Sequence, residues 1–488
     1  MPASVSQRLF TQGGVYSLAQ IANQAMTFLL LPMYGRYLGE EGFGVISLMG
    51  VAGTFLGFIL IQGLYGAWFR LRFDEDGPAE LRRFEATIIW YLLTSVAVGL
   101  GVLLLIGRWI APYCTPNVPF YPLGLLTSIY AAATVFVTLY ERKLQAEQRP
   151  VAFAIFSGLR TLLMLGTIVL FVAGFGWGAE GKIRADALTA ILLGTAALAL
   201  LKPAGPGAFS PSKLRRSLSY GLPLVPHHIA GLANDLIDRV IISAKLNLAQ
   251  TGSYTMGYRM GAVGLIVATA VNRAFAPLFI TPLKGVENAR ENGDEESERA
   301  NLEALARAAL QSVTLTACVS LGMAAITREA LLIMAPTFTE SFRVVAVVGV
   351  AIVAWACYFP FSQSITYRAN RVVLLGAITV LGAVVNILGN LWLIPRHGVM
   401  GAAWATLASS VTLAMAAWWI GQSLTPIPYR AARWAGMLAV FVAGMAGTWW
   451  LDTRIDSLGL RIVLKLAVAG SAALACLWMT GVRWADVH

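Results

Sequence analysis

The sequence predicts an all-α polytopic membrane protein of about fourteen transmembrane helices, built as two parallel six-helix repeats plus two C-terminal helices. Three observations predict it. The 488 residues are 57% hydrophobic and only 12% charged, with a mean hydropathy of +0.69, whereas a soluble domain carries about 25% charged residues. Apolar stretches of about 20 residues, the length that crosses a bilayer, recur from end to end between short polar loops. Short motifs also recur, in the same order, in two successive parts of the chain.

The candidate spans lie near 14–34, 43–69, 86–107, 118–140, 151–174, 185–201, 217–243, 253–280, 304–326, 344–366, 373–394, 399–421, 434–451 and 460–480. The first holds Asn23 and Gln24 and follows a stretch with one Arg and no small-residue cleavage site, so it reads as a retained helix and not a signal peptide. The sixth and thirteenth are short. No loop is long enough for a separate domain, the longest running from about 281 to 303 as a charged and partly helical connection. The cysteines, Cys114, Cys318, Cys357 and Cys476, show no paired or metal spacing and read as packing residues.

Loop charge sets the orientation. With the N-terminus cytoplasmic, the inner loops include "RLRFDEDGPAELRRFE", "ERKLQAEQRP", "KPAGPGAFSPSKLRRS" and "YRANRV". Those faces carry about 20 Lys and Arg against about 10 on the opposite faces, which satisfies the positive-inside bias and puts both termini in the cytoplasm. The net charge of +11 is then largely topological and needs no nucleic acid to explain it.

The repeat rests on two matches. "YLGEEGFGVIS" aligns with "KLNLAQTGSYT", so that Gly44 matches Gly252, and "GAEGKIRADALTA" aligns with "GVMGAAWATLASS", so that Gly178 matches Gly398 and Gly181 matches Gly401. Each pair sits at the corresponding span of its half. The expected domains are an N-terminal lobe at 1–210, a C-terminal lobe at 211–425 and two further helices at 426–488. Both halves start on the same side, and transporters built from such parallel repeats place substrate between them.

Three segments resemble a known family: "LLLPMYGRYLGEEGFGVISL", "GLPLVPHHIAGLANDLIDRVIISAKLNLAQTGSYTMGYRM" and "NILGNLWLIPRHGVMGAAWATLAS". They are similar to the polysaccharide transporters, the Wzx-type oligosaccharide flippases. That family belongs to a larger group with the lipid II flippase and the multidrug and toxin extrusion antiporters. Asp238–Arg239 and the following "GSYTMGYRM" are the most specific part. The resemblance implies two helical lobes around a central, V-shaped and often cationic cavity in a bacterial inner membrane. It implies transfer of undecaprenyl-pyrophosphate-linked oligosaccharide to the periplasmic leaflet by alternating access. The expected partners are that lipid-linked substrate, membrane lipids, and the polysaccharide polymerase and chain-length regulator proteins. No cofactor or metal is expected.

Charges inside spans are the candidate site residues, because one at the bilayer centre costs about 2.5–3.5 kcal/mol on insertion scales. Asp235, Asp238 and Arg239 interrupt the seventh span. Asp235 and Arg239, four apart, are expected to pair. Asp238 then needs another partner, from the eighth span, while Arg239 is placed to snorkel outward. The trio reads as a structural lock or as a gating or ion-coupling site. Arg160 sits mid-span with no acid three or four residues away. It is expected to meet a pyrophosphate or acidic sugar, which its planar fork matches, or else a buried acid such as Asp235.

Arg259 and Arg273, fourteen apart, are expected on one helix face about 21 Å from each other, either snorkelling or forming a basic ladder beside Asn272. The amides Asn23, Gln24 and Gln62 suit sugar hydroxyls or interhelical hydrogen bonds. His227 and His228 titrate near neutrality and join the gating candidates, with a structural role as the simpler reading. Pro32, Pro223 and Pro226 are placed to let the first and seventh spans bend.

No P-loop, Gly-x-Ser-x-Gly or HExxH motif appears, so ATP hydrolysis is not expected. The "FDEDG" at 73–77 holds a D-x-D pattern with no nucleotide-binding fold around it. The leading function is therefore a lipid-linked oligosaccharide flippase. An ion-coupled extrusion antiporter is the rival, disfavoured because intramembrane arginines outnumber acids. A membrane-embedded glycosyltransferase or polymerase is less consistent with such short outer loops.

Overall fold

Hydrocarbon offers a backbone no hydrogen bonds, so a spanning chain must satisfy its own N–H and C=O groups, and helices do so within one segment. The computed structural model describes residues 29–368, 371 and 373–481, with 276–277 described by backbone alone. Among the described residues there is no strand. The first half comprises a short helix α1 (Leu31–Tyr37), α2 (Gly39–Ile61), α3 (Leu64–Leu71), α4 (Gly77–Cys114), α5 (Leu125–Ala146), α6 (Pro150–Ile168) and α7 (Gly178–Leu201). An amphipathic helix α8 (Pro211–Gly221) leads into α9 (Val225–Lys245). There follow α10 (Leu248–Gly261), α11 (Val263–Asn292), α12 (Glu295–Met334), α13 (Phe342–Tyr367), α14 (Val373–His397), α15 (Val399–Leu424), α16 (Ala431–Arg454) and α17 (Leu458–Thr480).

Among the described residues, 12 helical stretches are long and apolar enough to cross a membrane. Helix α9, at 21 residues, is long enough as well, but Asp235, Asp238 and Arg239 make it less apolar than the rest. The first span, with Asn23 and Gln24, lies outside the described residues apart from its end.

Three expectations change. The charged segment at 281–303, expected to be partly helical, is helical except at Gly293–Asp294: α11 runs to Asn292 and α12 starts at Glu295, joined by Gly293 in the left-handed region at φ 68°. Asp294 caps α12 by accepting the Ser297 N–H at 3.0 Å, and Glu295, Glu296 and Glu298 complement its N-terminal dipole. Its 40 residues make about 60 Å of helix, twice the hydrocarbon thickness. Next, the sixth and thirteenth spans are not short. Helices α7 and α16 each have 24 residues: charges near the α7 N-terminus pair along the helix, Lys182 with Asp186 and Glu180 with Arg184, and Asp452 near the α16 C-terminus pairs with Lys465 of α17. Finally, the eighth span is broken at Gly261–Ala262 into α10 and α11, which removes the single continuous face assumed for Arg259 and Arg273.

The chain forms two compact units, Met1–Leu232 with Asn247–Gly252, and Ala233–Leu246 with Ser253–His488. The core of the first packs Trp68, Phe84 and Leu92 against Phe136, Leu139 and Leu193. The core of the second is centred on α12 and takes in Met437, Phe441 and Met445 of α16 and Ala469, Ala472 and Cys476 of α17, so the two C-terminal helices are integral to it.

The repeat is visible in the backbone. Gly178 and Gly398, matched in sequence, both adopt positive φ, 53° and 60°, where a side chain is disfavoured. Gly44 and Gly252, the other matched pair, meet inside the first unit. A Cβ on Gly44 would overlap the Leu248 carbonyl, and one on Gly252 would overlap the Glu40 carbonyl.

Ion clusters pin both units. Lys213 and Arg216 of α8 grip the segment after α3: Arg216 lies 2.7 Å from Asp74, and Lys213 pairs with Glu75 and, at 3.0 Å, with Glu80. Asp74 and Glu75 of "FDEDG" are thus spent on a latch. In the second unit Lys465, wholly buried, bridges Glu329 at 2.7 Å and Asp452 at 2.8 Å, and Arg461 Nε donates to Glu329 at 2.9 Å.

Two predictions follow from these clusters. Lys465→Met leaves two buried carboxylates short of a cation and should cost about 3–5 kcal/mol, read as a lowered unfolding midpoint in detergent. At the latch, the hydrogen bond from Arg70, with the nearby charges of Arg70 and Arg216, holds the Asp74 carboxyl below its ordinary value. Its contribution is therefore present above the usual carboxylate pKa of about 3.9 and lost as pH falls through the depressed value. Spin-label distances between positions 73 and 212 should stay constant from about pH 6 to 8 and broaden only below about pH 4.

Candidate functional site

In the first unit a polar cavity opens among α5, α6 and α7. It has a volume of about 260 Å³ and is lined by Tyr130, Thr134, Arg160, Thr161, Asp186 and Thr189 together with apolar side chains. Arg160 is ten residues in from Pro150, about 15 Å along α6, which is mid-depth in a hydrocarbon core about 30 Å thick. It is not without an acid. Its Nη1 lies 2.9 Å from Glu141 Oε1 of α5, in place of the Asp235 partner considered from the sequence. Lys182 neutralises Asp186 one turn away, and Arg184 does the same for Glu180.

The cavity is thus charge-balanced. Arg160 keeps 35% of its side chain exposed, and a guanidinium has five N–H donors in a planar fork, so one carboxylate does not exhaust it. The volume takes several waters, at about 30 Å³ each, or one phosphate-sized group, and does not admit an oligosaccharide.

In the second unit Asp238 and Arg239 are locked. Asp238 Oδ1 accepts from the Arg239 backbone N–H and from Nη1, both at 2.8 Å, and Oδ2 accepts the Tyr254 hydroxyl at 2.5 Å. The guanidinium lies 4.4 Å from the Tyr258 ring centre. Both residues are buried, so Arg239 does not snorkel. The expected Asp235–Arg239 side-chain pair does not form: Arg239 donates to the Asp235 backbone carbonyl, while its neighbour Asp238 sits closer to the guanidinium. The Asp235 side chain is exposed, with Asn234 Nδ2 at 3.3 Å. Asn234 Oδ1 in turn accepts from Ser409 of α15 at 2.6 Å.

The other candidates are scattered. His228 is half-buried, 3.2 Å from the Tyr65 hydroxyl and stacked near Phe58, while His227 is exposed. Asn272 accepts from Gln363 of α13 at 3.3 Å. Arg259 is half-buried and Arg273 exposed, on opposite sides of the helix break. Gln62 has left-handed φ at 50° where α2 ends, and accepts from Tyr91 at 2.6 Å.

Sequence reasoning missed Glu141, counted there as an inner-loop charge, and the cavity pair Lys182–Asp186. It also missed Tyr254 as the partner of Asp238, and the cluster of Glu329, Asp452, Arg461 and Lys465. The signal for Lys182–Asp186 was present, since an i,i+4 spacing of opposite charges marks a helix face.

Residues 9–281, more than half of the chain, match the family model described as polysaccharide biosynthesis protein. The chain belongs to this family. Two Haemophilus influenzae proteins are among its relatives. "Lsg locus putative protein 1" is 27% identical over 288 residues, 57% of this chain and 67% of the relative. An uncharacterized membrane protein is 26% identical over 290 residues, 57% of this chain and 66% of the relative. The matches therefore span about two thirds of each relative.

The fold is similar to that of the lipid II flippase MurJ in an inward closed conformation, at a TM-score of 0.70 and 12% identity over 97% of this chain and 99% of that one. It is also similar to an inward-facing multidrug resistance MATE family transporter of the MOP superfamily, at 0.57 and 12% identity over 85% and 99%. At that identity the likeness is one of fold alone.

A paired substitution separates binding from bracing at Arg160. Arg160→Gln with Glu141→Gln removes both charges at once and is expected to express and unfold like the wild type, while transport complementation is lost. Recovery of transport in the double variant would make the pair a brace only.

Proposed function

We propose that this protein is a flippase. It carries undecaprenyl-pyrophosphate-linked oligosaccharide repeat units from the cytoplasmic to the periplasmic leaflet of a bacterial inner membrane, by alternating access. The product feeds assembly of a surface polysaccharide: the O-antigen of lipopolysaccharide, a capsule or an exopolysaccharide. Both termini face the cytoplasm, and a polymerase and a chain-length regulator act on the product. The observation that carries the reading is membership of the polysaccharide biosynthesis family, joined to a full-length likeness of fold to a lipid flippase.

Site chemistry adds support. Among the described mid-span acids, Glu141 is held by Arg160, Asp186 by Lys182, and Asp238 by Arg239 and Tyr254. A cationic drug would find few unspent carboxylates there, whereas the partly exposed Arg160 fork suits a pyrophosphate. Arg259, Arg273, Asn272 and the amides Asn23 and Gln24 complete the proposed substrate contacts. Asp235 is the proposed ion-coupling group, with Asp238 and Arg239 holding its helix and His227 and His228 at the bend.

A deletion strain tests the reading. Surface polymer should disappear and lipid-linked repeat units should accumulate on the cytoplasmic leaflet, with Arg160→Ala failing to complement and Arg160→Lys complementing in part. Unchanged polymer with heightened dye sensitivity would replace the flippase with an exporter.

A further inference from the structure

Two cavities of the second unit share a wall, and together they have the form of a lipid. One, of about 590 Å³, runs between α13, α15 and α16 and is lined almost wholly by apolar side chains, from Phe361 to Val350 along α13. Its one amide, Gln422, is spent at both ends on the backbone of Ile427, at 2.8 and 2.7 Å. The other, of about 470 Å³, is lined by Arg299, Arg307, Arg430 and Arg433 with Glu303. Pro428 and Trp434 line both.

Among the described residues, Arg307, Arg430 and Arg433 have no carboxylate within ion-pair distance, and Arg299 has only Glu303 at 3.6 Å. A basic pocket joined end to end with an apolar groove fits a phosphate headgroup bearing a hydrocarbon chain. The arginines lie at the end that loop charge assigns to the cytoplasm. The groove then rises eleven residues along α13, about 17 Å, which is one leaflet of a hydrocarbon core about 30 Å thick. That length suits an acyl chain and is too short for a polyprenyl tail.

We propose that this double cavity binds an anionic phospholipid of the cytoplasmic leaflet, headgroup on the arginines and one acyl chain in the groove. The site goes beyond the flippase reading and holds whatever the cargo. It is built in part from α16, one of the two helices outside the repeat, which gives that addition a role.

The test uses the full chain purified in detergent, with phosphatidylglycerol and phosphatidylethanolamine as probes in native mass spectrometry and thermal unfolding. The wild type should bind phosphatidylglycerol preferentially and be stabilised by it. A variant with Arg307→Gln, Arg430→Gln and Arg433→Gln, all at exposed positions, should keep its lipid-free unfolding midpoint and bind phosphatidylglycerol roughly 100-fold more weakly. Val411→Trp, which narrows the groove and leaves the arginines, should also weaken lipid binding. Equal affinity for the two lipids, unchanged binding in the triple variant, or displacement of bound phosphatidylglycerol by a polyprenyl diphosphate would each overturn the proposal.

Discussion

An ionised side chain in hydrocarbon must find a partner or water, and that single requirement organises this protein. Glu141 and Arg160 tie α5 to α6. Asp238 holds Arg239 on its own helix and reaches Tyr254 on α10. Lys465 of α17 binds Glu329 of α12 and Asp452 of α16 at once. Each cluster joins helices that sequence separates by up to 136 positions, as Glu329 and Lys465 are. Removing one member leaves a charge that the apolar surroundings cannot stabilise. Helix neighbours in this molecule are therefore specified by charge as much as by the apolar surfaces, which in lipid provide little discrimination.

The same requirement sorts structural from functional groups. A charge that is buried and fully paired, such as Asp238 or Lys465, is committed to holding helices. A charge that keeps exposure retains capacity for a ligand, and Arg160, Asp235 and the arginines at the N-terminal end of α16 are of that kind. Helices break at Gln62–Gly63, where the backbone turns left-handed, and at Gly261–Ala262 between α10 and α11. Backbone groups freed at such breaks are tolerated in membranes where neighbouring helices satisfy them, and breaks are where helices can bend.

Much of the architecture was legible in the sequence, since a long apolar run has one stable form in a bilayer. The helix count followed from that, as did the repeat, whose matched glycines Gly178 and Gly398 take up equivalent strained backbone positions. Legibility failed where charge sat near a span end. The α7 terminus looked like a loop although its charges pair i,i+4 along the helix, whereas the α16 terminus and Glu141 looked exposed because a sequence window cannot see a partner on another helix. The site was legible in part: Arg160 stood out, but its acid did not, and the Asp235–Arg239 pairing suggested by i,i+4 spacing gave way to the adjacent Asp238, whose carboxylate the guanidinium meets at 2.8 Å.

By itself the sequence determined the all-helical membrane class, the two-fold repetition and the family, because hydrophobic length and motif order are local properties of the chain. Only the tertiary structure decided which charges cancel, that Gly44 and Gly252 touch, and that four arginines and an apolar groove share a wall at Pro428 and Trp434. The reason is physical: pairing energy depends on distance through space, and residues far apart in sequence come within reach only when helices pack.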